Sequence, residues 1–494
     1  MIKKQINLFE FVKYSEFSDE LKHITSKKQF SDDLENILES IWKERKRFIP
    51  SENLYYDSKS LKQRFIDFRI HEIVPRNWIG TIHFKSNGDE YVLNLLPKVF
   101  YKENHIYQEN EINSIFTHIL WWLSGSEKQN YSSAESRLGA LKSDFLEIMV
   151  YIFSQYALEI FSSSAYHYYI PLSEDTEAVK GQIEFNSYVH NYATGNRHIL
   201  PCTYDSFQYD NQFNRIVRYV SALLKDFTVN SATKKNLEEL LFILDEAEYV
   251  TVTAEDCDKV VLNPVYTEMQ TILDYCRLFL SSLSVYRWKD DYKVFALLIP
   301  AEKLFENFIF SILKNNSGPL IRNVSRTRPG RSYLVRQLPS VKADKYKMIN
   351  DIVVRTADNT CLLLDTKYKK IYNTGKVNEE NEEETDPVYN ISQADIYQMV
   401  SYAVGSGINS IGLVYPAVPG EINSEIPVYE IDDEFSPGTS IRIHPFKVSI
   451  IHEEGINLVA DGSLERTFAR TKEKLVEELN DCIKKIQNFN HGIA

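Results

Sequence analysis

The chain has 494 residues, with 56 Lys and Arg against 69 Asp and Glu and a net charge of −13, room for about three domains of ordinary size. The acidic total argues against a surface-wide nucleic-acid binder, because phosphate contacts need Lys and Arg; five scattered cysteines (Cys202, Cys257, Cys276, Cys361, Cys482) without a C-x-x-C pair argue against a disulfide framework or a zinc ribbon. The start, MIKKQINLFEF, is too polar for a signal peptide and no stretch approaches a membrane span, so the expected setting is a reducing cytoplasm with no membrane partner.

Residues 1–70 are expected to be helical and polar, with an amphipathic helix over Phe30–Trp42 that Ser31 or Asp32 caps. Residues 70–100 switch to strand character: Trp78–Phe84 and Tyr91–Lys98 flank Ser86-Asn87-Gly88-Asp89, and the Asn-Gly pair predicts a hairpin. Ile112–Leu123 is helical; its Trp121 and Trp122 read as core, with base stacking as the alternative. Leu141–Phe161 predicts a strongly apolar amphipathic helix, and His167 reads as packing. Tyr204–Asn214 is turn-rich and leads into a helix that begins near Asn211. Helices are expected over 234–247 and Pro264–Leu283, with Tyr286–Asp291 closing a middle domain.

Ala301–Lys314 has helical spacing and carries Glu306. Residues 322–347 then gather Arg322, Arg326, Arg328, Arg331, Arg336, Lys342, Lys345 and Lys347, opposed only by Asp344. In a chain so acidic overall, this patch is the candidate DNA surface, through Arg326, Arg328, Arg331 and Arg336 together with Lys369 further on; the alternative is a solvated loop.

The chemistry concentrates between Asn350 and Ala403. The β-branched run Ile352–Val354 and the apolar run Cys361–Leu364 flank Ala357-Asp358-Asn359, residues that tolerate a tight turn. A hairpin of that length pairs Thr356 with Thr360 and sets Asp351 opposite Asp365, and strand alternation puts Asp365 and Lys367 on one face. Two facing carboxylates suit Mg²⁺, and a lysine beside them suits orienting or activating the attacking water, or stabilising charge on phosphorus. Asp, then a short spacer, then Asp-x-Lys, resembles the PD-(D/E)xK nuclease core; the bland alternative is an exposed strand with a surface ion pair. The neighbours favour the nuclease reading. Glu306 lies on the preceding helix as a further candidate carboxylate, Gln398 on the following helix (Ile391–Gly405) as a group to position water or the lysine, and Ile411–Pro416 reads as a buried strand.

Residues 373–390 are an acidic, apolar-poor surface insert, Ile422–His452 adds short strands, and Leu464–Asn488 predicts one long charged helix. The sequence has no internal repeat, no G-x-x-x-x-G-K-[ST], no H-E-x-x-H and no G-x-S-x-G, so no nucleotide hydrolysis is expected from this chain itself. The expected architecture is mixed α/β: an N-terminal α+β region (1–165), a mainly helical middle region (166–292), a PD-(D/E)xK restriction-endonuclease-like domain (293–460) and a C-terminal helix (461–494).

Several longer pieces resemble the McrC family, nuclease subunits of McrBC-type 5-methylcytosine-specific restriction systems. They are Ile79–Ile82, Leu95–Lys98, Phe145–Glu147, Lys180–Ile183, Cys202–Phe207 with Asp210-Asn211 and Asn214-Arg215, Leu304–Glu306, Asp351–Val353, Asp365–Lys369 and Asp395–Met399. One departure is Asn350, where the family usually has proline; the acidic insert is also long. The resemblance implies a DNA-cutting subunit with Mg²⁺ as cofactor. It also implies a McrB-like AAA+ GTPase ring as partner, which binds GTP, reads modified cytosine in double-stranded DNA and is stimulated by this chain. The N-terminal region (1–165) is then expected to be the partner-binding one, with the Trp78–Lys98 hairpin as the candidate for part of the partner-facing surface. The expected function is a Mg²⁺-dependent endonuclease, with Asp351 and Asp365 on the metal and Lys367, Glu306 and Gln398 in support; the rival is a catalytically inactive adaptor that only stimulates the partner's NTPase. A stand-alone DNA-binding module is the third reading, disfavoured by the net charge.

Overall fold

In the computed structural model the described residues are 3–16, 18–22, 24, 26–48, 63–126, 144–163, 166–262, 267–287, 293–316, 318–326, 333–336, 344–347, 351–369, 391–418, 426–431, 440–459 and 463–490. The chain opens with a strand, β1 (Lys3–Phe9), and then β2 (Tyr14–Ser15), which corrects the helical expectation for residues 1–70. The helix expected there is present as α1 (Lys27–Phe48), burying Phe30, Leu34, Ile37, Leu38 and Ile41 at helical spacing. Next come β3 (Ile66–Arg69), β4 (Glu72–Pro75), β5 (Trp78–Ser86) and β6 (Asp89–Leu96). The β5–β6 turn follows the Asn-Gly prediction, with φ of 50° at Asn87 and 82° at Gly88. These two strands are nearly all buried and only the tip, at Asn87 and Gly88, is exposed. Helix α2 (Glu109–Ser126) settles the tryptophans as core: the Trp122 indole donates to the Ile450 carbonyl (2.8 Å), and Trp121 stacks on Phe468 with centroids 4.3 Å apart.

By its contacts the chain forms two compact units, Met1–Leu146 with Ser282–Ala494, and Glu147–Ser281. The second holds most of α3 (Phe145–Ser163), then β7 (Tyr168–Thr176), β8 (Gln182–Ile183), α4 (Phe185–Ala193), β9 (Leu200–Gln208), α5 (Gln212–Phe227), α6 (Ser231–Ile243), α7 (Ala254–Asp258) and α8 (Thr267–Ser282). By length and composition α3 is apolar enough to cross a membrane, which corrects the expectation that no stretch comes near; its apolar window is 78% buried within the protein. There Phe153 packs on Tyr275 and Phe279 of α8, and Phe161 on Phe213 of α5. Strand β9 corrects the turn-rich reading of Tyr204–Asn214: only residues 209–211 separate it from α5, where Asn211 caps the helix by accepting from the Asn214 N–H.

The first unit resumes with β10 (Leu283–Arg287), which takes in Tyr286 and Arg287, and β11 (Lys293–Pro300). Both join the N-terminal strands in one sheet, β1-β6-β5-β11-β10. Strands β5 and β11 approach so closely that a Cβ at Gly80, whose φ is +137°, would lie 1.9 Å from the Leu297 carbonyl oxygen. Then follow α9 (Ala301–Asn315), β12 (Ile321–Ser325), the pair β13 (Tyr333–Arg336) and β14 (Asp344–Lys347), β15 (Ile352–Thr356), β16 (Cys361–Thr366), α10 (Gln393–Ser406), β17 (Ser410–Ala417), β18 (Tyr429–Glu430) and β19 (Arg442–Ser449). Their sheet runs β12-β15-β16-β17-β19-β18, with β16, β17 and β19 parallel. The eight-residue β19 exceeds the short strands expected there. The long C-terminal helix is divided at Phe468 into α11 (Leu464–Thr467) and α12 (Ala469–Asn490), and the Phe468 ring is buried against Trp121 and His118.

The parallel strands are near-continuously apolar because helices cover both faces. Val353, Leu363, Ile411, Leu413 and Tyr415 face Met399, Tyr402 and Ala403 of α10. On the other face Gly412 leaves room for Leu364 and for Ile486 of α12.

Candidate active site

Strands β15 and β16 pair with Ile352 opposite Leu364 and Arg355 opposite Cys361, and the Thr356 N–H donates to the Thr360 carbonyl (2.9 Å), the register read from the spacing. Asp358 accepts from the Thr360 N–H at the turn (3.2 Å), and Asn359 takes the left-handed φ of 67°. One step beyond the last pair, Asp351 falls across from Asp365. The Asp351 Oδ2 accepts from the Thr366 N–H (2.9 Å) and hydroxyl (3.0 Å), which fixes that carboxylate at the open end of the hairpin. Alternation puts Asp365 on the face of Leu363, the face that α10 covers, and it is 2% exposed.

The Lys367 ammonium lies 2.9 Å from Asp365 Oδ2, donates to Gln398 Oε1 (2.7 Å) and stands 3.5 Å from Asp395 Oδ1. Gln398 in turn donates through Nε2 to the Tyr402 hydroxyl (2.8 Å), so its amide is held from both ends. Lys369 donates to Asp395 Oδ2 (2.5 Å). Between the two lysines, Tyr368 is buried on Phe305, and the buried Lys98 ammonium lies 5.2 Å from its ring and 4.4 Å from that of Phe11.

The electrostatics follow from crowding acids in a buried place. Burial, and next the Asp351 charge, push the Asp365 carboxyl up to about 7. Burial alone would lower the Lys367 ammonium, but Asp365 and Asp395 outweigh it and the net shift is upward. For Asp395, burial is outweighed by Lys369 and Lys367, and its carboxyl falls below the usual range. Burial and then Asp351 raise Glu306, against Lys303 and Arg326.

Asp351 and Asp365 suit a divalent cation. Asp365 Oδ2 is buried and receives no aligned hydrogen bond, although Lys367 stands close to it, and two such carboxylates are the usual protein share of a Mg²⁺ site. Among the described residues, no three His, Cys, Asp or Glu gather to hold one ion. Glu306 instead accepts from Lys303 (2.7 Å) and pairs with Arg326.

The basic segment is partly drawn into the fold. Arg326 pairs with Glu306, donates to Asn307 (2.6 Å) and stacks 4.6 Å from the Phe310 ring centroid. Arg322 donates to Asn359 (2.6 Å), and Arg336 stands in β13 opposite Asp344. Arg328, Arg331, Lys342 and the acidic insert 373–390 lie outside the described residues. Sequence reasoning missed Asp395 as a site residue. The signal within reach was Ser392-x-x-Asp395, a capping box, which the structure forms at the start of α10; what it could not give was the approach of two lysines from another element.

A family model described as McrBC 5-methylcytosine restriction system component matches residues 73–416, from β4 to β17. The chain belongs to that McrBC family. A solved structure, the refined half-complex from a tetradecameric assembly of Thermococcus gammatolerans McrB AAA+ hexamers with bound McrC, contains a chain similar to this one. The similarity covers 97% of this chain and 99% of that one, at 16% identity with a TM-score of 0.57, and shows a shared fold. A chain of the cryo-EM structure of the Thermococcus gammatolerans McrBC complex is similar over 64% of this chain and 88% of its own, at 17% identity with a TM-score of 0.45. No curated protein matches the chain. The McrBC match takes in both Asp351 and Asp365 and the α10 residues that hold Lys367.

Proposed function

We propose that this McrBC-family chain is the Mg²⁺-dependent endonuclease subunit of a modification-dependent DNA restriction complex, built on a PD-(D/E)xK core. The observation that carries this reading is the open end of the β15–β16 hairpin, where Asp351, the buried Asp365 and Lys367 come together under Gln398. The order α9, hairpin, α10, then β17 parallel to β16 agrees with it.

Asp351 and Asp365 would hold the metal. Bound Mg²⁺ supplies positive charge to a phosphate oxygen and makes a coordinated water more acidic. Lys367, flanked by carboxylates and fully charged, serves as an electrostatic stabiliser and water-orienting group, not as a base. Gln398 fixes the direction of that ammonium. Glu306 is a candidate supporting carboxylate once Arg326 turns away, and Arg326, Arg328, Arg331, Arg336 and Lys369 are the candidate phosphate-side cations. The proposed partner is a McrB-like AAA+ GTPase ring, supported by the family and by the McrB hexamers with bound McrC in the similar structure. With no Walker-type loop in this sequence, GTP belongs to that partner. The proposed substrate is double-stranded DNA carrying modified cytosine, in the cytoplasm.

The test is cleavage of methylated and unmethylated plasmid by the chain with its AAA+ partner, GTP and Mg²⁺. Wild type is expected to cut only methylated DNA, and Asp351→Ala and Asp365→Ala to lose at least about 10³-fold in rate while still stimulating the partner's GTPase. Undiminished cutting by folded Asp365→Ala overturns the assignment. GTPase stimulation with no cutting by wild type establishes the adaptor instead.

A further inference from the structure

We propose that Asp395 is a positioning residue that aims Lys367, acting through its ion pairs with Lys367 and Lys369 from a rigid seat at the N-terminus of α10. The inference rests on the nuclease reading of the site and adds to it a residue with no assigned role.

One carboxylate serves both lysines that flank Tyr368. Its Oδ1 stands 3.5 Å from Lys367 Nζ and its Oδ2 accepts from Lys369 Nζ at 2.5 Å. The seat is itself fixed: Asp395 Oδ2 accepts from the Ser392 N–H (3.1 Å), the Ser392 hydroxyl accepts from the Asp395 N–H (3.2 Å), and the side chain is 11% exposed. A carboxylate in the first turn is also favoured by the helix dipole.

A lysine side chain is long and loses considerable rotamer freedom when ordered. Lys367 is restrained from three directions, by Asp365, Gln398 and Asp395, and only Asp395 also anchors the next lysine along the chain. The Lys369–Asp395 pair also ties the segment that follows β16 to the first turn of α10. Removing the carboxylate therefore releases Lys367 on one side and detaches its neighbour, while Asp351 and Asp365 keep their own contacts.

The experiment uses the full chain as wild type, Asp395→Asn, Asp395→Glu and Ser392→Ala. An amine-reactive acylating reagent, read by mass spectrometry on the protein without partner, reports how well Lys367 and Lys369 are held. Methylated-DNA cleavage with partner, GTP and Mg²⁺ reports kcat and KM separately. Asp395→Asn is expected to raise acylation of both lysines several-fold and to lower kcat about 10–100-fold, as supporting contacts around a metal site do, with a smaller change in KM for DNA from the released Lys369. Asp395→Glu, which keeps the charge, is expected to recover most of both; Ser392→Ala, which removes the hydroxyl half of the seat but leaves the carboxylate and its backbone contact, to show the same changes to a smaller degree. Unchanged acylation in Asp395→Asn, or changes in Ser392→Ala as large as those in Asp395→Asn, overturns the proposal. Should Asp395→Asn fail to fold, wild-type Lys367 acylated as readily as the 76%-exposed Lys235 overturns it as well. If wild type does not cut DNA at all, the nuclease reading falls, and the acylation arm still decides whether Asp395 holds Lys367.

Discussion

Asp365 is the residue at which stability and chemistry oppose each other. Its carboxyl, at 3.8 ordinarily, is raised to about 7 in the fold. Between those two values the folded protein keeps a proton that the unfolded chain gives up, so this residue makes the metal-free fold less stable as pH rises from about 4 to about 7, and the penalty stays constant above that. Asp365→Asn removes the charge, so it is expected to raise the thermal midpoint of the metal-free protein by about 1–3 °C near pH 7.5 and by little near pH 5. If Mg²⁺ is held between Asp351 and Asp365 as proposed, it relieves the same penalty. It should raise the wild-type midpoint more at about pH 7.5 than at about pH 5.5, and should leave Asp365→Asn unmoved. Scanning calorimetry at the two pH values with and without Mg²⁺ checks both expectations, and a Mg²⁺ response that survives in Asp365→Asn would place the metal elsewhere.

Among elements, those whose pairing is local were legible and those whose partner is distant were not. The β15–β16 hairpin and the β5–β6 hairpin follow from apolar runs around turn residues, and the antiparallel register follows from loop length alone. Helix α10 was legible over Ile391–Gly405, and the structure bounds it with the Ser392 cap and with Gly407, whose left-handed φ of 64° suits a helix end. By contrast, the KKQINLF of β1 looks polar, and it is a strand because β6 offers it a parallel edge. The segment Ile321–Ser325 reads as basic loop until β15 pairs with it as β12. The same holds at the site: Asp351, Asp365 and Lys367 share one hairpin and could be aligned by counting, whereas Asp395 meets the lysines only once α10 has packed. Gly80 belongs to this scale too. Its positive φ and the Leu297 carbonyl leave no place for a methyl group, so Gly80→Ala should destabilise the first unit by roughly 2–5 kcal/mol. Urea unfolding followed by tryptophan fluorescence would show it, and a change within error would mean that β5 and β11 can separate without loss.

For the whole molecule, the first unit is assembled from two stretches that flank the second in sequence. The N-terminal sheet is finished by β11 and β10, and α2 is bonded to the end of β19 through Trp122. These contacts imply that residues 1–146 alone, with the β5 edge bare, will aggregate or remain unfolded, while residues 144–282 will give a cooperative melt by circular dichroism; a soluble, cooperatively melting 1–146 fragment would contradict this. The β5–β11 pairing also has a consequence for synthesis. A ribosome delivers β1, β6 and β5 long before β11 exists, and loop closure over so long a separation is slow. The nascent first half must therefore wait, its apolar strands uncovered, while the second unit folds between it and its missing strand, which makes this chain a strong client for chaperones that hold unfinished sheets during translation.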